Sequence, residues 1–134
     1  MDINDLVLIS VDDHVIEPPT MFDNHIPERY RDRAPRLVTT ESGADAWSFD
    51  GQMIPNFGLN AVVGRPPEEY GMEPTAYSQI RSGTYDVKDR IDDMNADGVL
   101  ASICFPTFPH FAGNRLFASS DKPLARAVIS AYND

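Results

Sequence analysis

Two residues able to share a divalent ion stand two positions apart near the start of the chain, Asp12 and His14 in Ser10-Val11-Asp12-Asp13-His14. Side chains alternate between faces along a strand, so a strand here turns Asp12 and His14 one way and Asp13 the other. A carboxylate and an imidazole on one face can both reach one ion at about 2.0–2.2 Å. The spacing alone does not compel this reading, because an Asp and a His at a strand end also serve to bond local backbone.

Other side chains carry a chemical and a plainer reading side by side. His110, in Phe108-Pro109-His110-Phe111, follows a second strand-like run and could contact a substrate carboxylate or phenol; a surface His among aromatics is the simpler account. Glu17 could lean back towards an ion at His14 or anchor its loop. His25 sits in irregular sequence and reads as exposed or structural. Cys104 lies inside an apolar run and reads as an inert buried thiol. Arg65, Arg81 and Arg115 each have the planar fork that clamps a carboxylate, though solvated surface explains each as well. Asp92, Asp93 and Asp97 read as the wet face of a helix.

The elements that must position these residues are legible in part. Leu6 to Val11 is a continuous apolar run rich in β-branched residues, the pattern of a strand buried on both faces of a parallel sheet. Residues 17–85 hold eight of the 11 prolines and are the least regular part. Within them Phe22, Ile26 and Tyr30 recur every four residues, which suits a helical turn or two limited by Pro27. Leu37 to Thr40, Trp47 to Phe49 and Met53-Ile54, separated by Ser42-Gly43 and Asp50-Gly51, predict a small antiparallel meander. From Phe57 to Thr84 the Gly- and Pro-rich chain has no clear period and fits an ordered excursion or a mobile lid.

Regular structure resumes at Asp86. Val87, Ile91 and Met94 form a helical stripe, Asp86 and Asp89 suit the positive end of its dipole, and Gly98 is a natural stop. Val99 to Phe105 is a second buried-strand pattern, ended by Pro106. Ser119 to Asp121 offers helix N-caps, Pro123 fits a first turn, and Leu124, Val128 and Ala131 or Tyr132 continue an apolar face. Strand, long excursion, helix, strand, loop and helix amount to a βαβ unit, expected to be right-handed, in a parallel α/β architecture.

Composition narrows the function. A net charge of −10, from 11 basic and 21 acidic side chains, disfavours nucleic acid and anionic membrane as partners. With one cysteine there is no intrachain disulfide, and no signal peptide is visible, so a cytoplasmic address is expected. A homo-oligomer is left open.

The run from Leu6 to Pro19, L-V-L-I-S-V-D-D-H-V-I-E-P-P, resembles the opening of the amidohydrolase-related branch of the amidohydrolase superfamily. That branch holds the aminocarboxymuconate-semialdehyde, 5-carboxyvanillate and γ-resorcylate decarboxylases. Asp12-Asp13-His14 is similar to the variant in which a carboxylate replaces the first His of the usual H-x-H. Asp86 to Val99 resembles the family's first barrel helix leading into strand two, and Phe105-Pro106-Thr107 the loop after that strand. The middle of the chain matches only loosely.

The resemblance implies a (β/α)8 TIM-type barrel, of which residues 1–134 would be one partial domain. It would hold the first two strands and helices, an insertion at about 17–85, and a truncated C-terminus, since a full barrel takes about 250 residues. It also implies a divalent ion, Zn²⁺ or Mn²⁺, ligated by Asp12 and His14. The family's further His and Asp ligands have no counterpart in this sequence. The expected activity is hydrolysis or non-oxidative decarboxylation of a small carbonyl or carboxylate substrate, with this chain supplying part of the site. The rival expectation is an inactive truncated piece or interaction module. A phosphoesterase built on Asp-Asp-His would need additional His and Asp clusters that the sequence lacks.

Overall fold

The computed structural model describes residues 6–55, 61–70 and 75–134. Much of the Phe57–Thr84 stretch is therefore visible, while residues 56–60 and 71–74 lie outside the described residues. Strand β1 spans Leu8–Val15, followed by a 3-10 helix at Glu28–Arg33. Then come β2 (Arg36–Thr39), β3 (Asp45–Phe49) and β4 (Gln52–Ile54). Helix α1 (Val87–Asp97), strand β5 (Val99–Pro106), helix α2 (Asn114–Ala118) and helix α3 (Lys122–Asn133) complete the order. β1 and β5 form a two-stranded parallel sheet, and β2-β3-β4 a three-stranded antiparallel one. The fold is thus mixed α/β with a parallel strand pair and an antiparallel meander.

Local chemistry places the turns and caps where the sequence predicts them. Asp50 and Gly51 both take positive φ, 50° and 77°, the backbone of a two-residue type I′ hairpin. The Asp86 carboxylate accepts from the backbone N–H groups of Lys88 and Asp89 at 2.9 and 3.1 Å, capping α1. Gly98, at φ 71°, ends that helix in the left-handed region. Asp121 caps α3 through the Leu124 N–H at 3.0 Å. Between Met21 and Arg33 the predicted helical turns are hydrogen-bonded turns and one 3-10 helix, because Pro27 supplies no N–H for a longer run.

The core lies elsewhere than the apolar runs suggest. Phe22, Ile26, Trp47, Phe49, Tyr77 and Ile80 from the excursion pack with Phe108, Leu116 and the inner face of α3. Phe22, Trp47 and Phe108 meet edge-on or tilted, with ring centroids 5.4–5.7 Å apart. The expectation of strands buried on both faces fails in this chain: Val11 is 65% and Leu100 71% exposed, and Leu8, Ile9, Ile103 and Phe105 are also open. Among the described residues β1 and β5 pair only with each other, so no further strand flanks them. Cys104 is exposed for the same reason, not a buried thiol. Of the α1 stripe, Val87 and Ile91 are likewise exposed, while Met94 is half-buried. Among the described residues no helix is long and apolar enough to cross a membrane.

Candidate functional site

The end of β1 is held by three other segments. The Ile16 N–H donates to Thr84 O at 2.9 Å, and the Thr107 hydroxyl donates to Val15 O at 2.8 Å. The Tyr77 hydroxyl donates to Glu17 O at 2.5 Å. The strand end, the close of the excursion and the loop after β5 therefore converge.

The register of β1 on β5 slips between Ser10 and Asp13. Ser10 pairs with Ser102 and Asp13 with Cys104, so three steps on β1 oppose two on β5. A bulge of this kind re-aims side chains, here at Val11 and Asp12. Asp12 Oδ1 in the bulge and His14 Nε2 beyond it lie 4.0 Å apart, both side chains more than 70% exposed. The His14 ring tilts against Phe105 at 5.9 Å between centroids. Asp13 turns instead to α1, with Oδ2 3.3 Å from Arg90 Nη2. Arg90 also donates to the backbone oxygens of His14 and Gly83, at 3.4 and 3.5 Å, and so braces β1 from behind.

As a donor set, Asp12 and His14 fit half a metal shell. Two ligands of a tetrahedral ion at about 2.1 Å stand about 3.4 Å apart, so small side-chain rotations suffice. A catalytic zinc site takes three protein ligands, and no cluster of three His, Cys, Asp or Glu able to hold an ion occurs among the described residues. His14, but not Asp12, lines an open cavity of about 460 Å³ that also takes in Asp13, Arg90, Met94 and Thr107.

Glu17 is fully buried, and its Oε1 accepts from the Thr107 N–H at 2.9 Å and the Tyr132 hydroxyl at 3.1 Å. It ties the β5 loop to α3, and burial pushes its carboxyl up despite those donors. Burial, reinforced by the Glu17 charge, raises both Tyr77 and Tyr132 as well.

Other residues singled out in the sequence separate into committed and uncommitted groups. Asp93 is not simply wet helix surface: it takes a two-point ion pair from Arg81, whose Nε donates to Oδ2 at 2.8 Å and whose Nη2 donates to Oδ1. Asp92 and Asp97 are exposed, as is His25. Arg65 donates to Gln79 O at 2.9 Å. His110 is exposed on the loop after β5, with φ 62° and ψ −179°, a conformation that only glycine adopts readily. Half-buried Arg115 has no acidic oxygen within 4.0 Å among the described residues. Its Nη1 donates to Phe108 O, and the guanidinium stands 5.6 Å from the Phe108 ring centroid.

No protein-family model and no curated protein matches the chain. Among solved structures, an amidohydrolase from Mycobacterium avium subsp. paratuberculosis K-10 superposes with a TM-score of 0.63 at 16% sequence identity. The match takes in 96% of this chain and 37% of that one, so the chain spans well under half of the length of that structure. In fold, this chain is similar to one part of an amidohydrolase.

Proposed function

We propose that this chain forms the N-terminal part of a metal-dependent enzyme of the amidohydrolase type, with Asp12 and His14 as two ligands of one Zn²⁺ or Mn²⁺ ion. The observation that carries the reading is the pair itself: a carboxylate oxygen and an imidazole nitrogen 4.0 Å apart at the C-terminal end of a parallel strand. That is where enzymes on parallel barrels hold their catalytic groups, and the fold similarity to an amidohydrolase supports it. A divalent ion there would supply either a water of lowered pKa for hydrolysis or charge stabilisation as CO₂ leaves a carboxylate substrate. Oxygen ligation by Asp12 suits Mn²⁺ as well as Zn²⁺. Asp13 is a positioning residue: through Arg90 it holds the strand end against α1. The carboxy-lyase reading rests on the carboxylate in place of a first His. The substrate is a small carbonyl or carboxylate compound, and His110 is proposed to contact it.

With two ligands among the described residues, this chain by itself is expected to bind metal weakly and to lack turnover. Calorimetric titration with Zn²⁺ and Mn²⁺ tests the pair. The wild-type chain should bind one equivalent, and His14→Ala should weaken it by about tenfold or more. Asp13→Asn should alter stability while leaving metal affinity within about twofold. Equal affinity in wild type and His14→Ala removes the basis of the assignment.

A further inference from the structure

We infer that the cleft beside Arg115 binds a small organic carboxylate, preferably one carried on an aromatic or apolar body. Arg33, Arg81 and Arg90 have acidic partners: Arg33 with Asp50 and Asp121, Arg81 with Asp93, Arg90 with Asp13. Arg115 is half-buried and has no acidic oxygen within 4.0 Å among the described residues, in a chain of net charge −10. Burial pushes its guanidinium down, against an opposing pull from the Glu17 charge. With Nη1 committed to Phe108 O, its Nε and Nη2 have no hydrogen-bond acceptor among the described residues.

Arg115 borders an open cleft of about 610 Å³ between the β3–β4 turn and the β5–α2 loop. Phe49 supplies an apolar wall, and Asn114, Gln52 and His110 supply polar groups at the rim. Asp50 also borders the cleft, but its carboxylate is engaged by Arg33 at 3.5 Å and by the Ser119 hydroxyl at 3.1 Å. On the β5–α2 side of the cleft the non-glycine His110 takes φ 62° and ψ −179°. Strain of this sort gathers at ligand clamps. A planar fork matches a carboxylate in two-point fashion, and the prevailing negative charge disfavours a dianion such as phosphate. This inference does not depend on metal at Asp12 and His14.

The test is an NMR titration of the metal-free full chain, read at the Arg115 Nε–H and Asn114 amide signals, with benzoate, benzamide and inorganic phosphate in parallel. Benzoate should shift both signals saturably, benzamide should not, and phosphate should bind at least about tenfold more weakly. Arg115→Gln should abolish the shift at Asn114. If that variant loses its dispersed spectrum, Asn114→Asp at the exposed rim serves instead, and like-charge repulsion there should weaken benzoate by about tenfold. Equal shifts with benzamide, stronger binding of phosphate, or unchanged benzoate binding in either folded variant overturns the inference. Because no metal is present, that failure would leave the Asp12–His14 reading to its own test.

Discussion

At the scale of single residues, the carboxyl of Glu17 joins three segments and is shut off from solvent. Oε1 takes two hydrogen bonds while Oε2 has no partner among the described residues. Burial raises its pKa above the ordinary value of 4.5, against the bonds that favour the charged form. A carboxyl whose folded pKa is raised stabilises the fold fully below its unfolded pKa, and that contribution disappears as pH rises through the folded pKa. Urea unfolding as a function of pH should therefore show a loss of stability above about pH 4.5 that Glu17→Gln flattens. A variant with the wild-type slope would place the titration elsewhere. Asp93 and Asp121 act oppositely: hydrogen bonds and nearby arginines hold them below the usual 3.8, so their contribution is lost as pH falls. Glu17 as an anchor could be posed from its place after His14. Its burial could not, since Thr107 and Tyr132 lie 90 and 115 positions away.

Among the elements, what the sequence made legible is what local chemistry decides. Asp50-Gly51, Asp86, Gly98 and Asp121 set turns and caps within a few residues, and the α3 stripe of Leu124, Val128 and Ala131 is buried as its spacing predicts. Whether an apolar strand is covered depends on neighbours far away in sequence, and here the pattern of β1 and β5 misleads. The lack of an ion-pair partner for Arg115 among the described residues was equally illegible, because it is a fact of packing. The inversion of core and strand has a direct mutational consequence. Leu124→Ala, at a fully buried position, should cost about 3 kcal/mol. Ile103→Ala, in the middle of exposed β5, should change stability by less than about 0.5 kcal/mol. Denaturant midpoints measure both, and the reverse ranking would mean that the strand pair, not the excursion with α3, carries the fold.

For the molecule as a whole, Leu8, Ile9 and Val11 on β1 and Leu100, Ile103 and Phe105 on β5 are exposed on a strand pair whose outer edges are unpaired among the described residues. Surfaces of this kind recruit other chains. Sedimentation should show concentration-dependent self-association of the chain at micromolar levels. Leu8→Lys with Ile103→Lys should shift it towards monomer, and a wild-type monomer at high concentration would contradict this.

The one tryptophan of the chain, Trp47, is 1% exposed and wedged between Phe22 and Phe108. Its fluorescence is therefore a private optical channel for the aromatic cluster. Melting of the β1–β5 pair alone would remove circular-dichroism signal without reddening the emission, so any gap between the two melting curves measures how independently the strand pair opens.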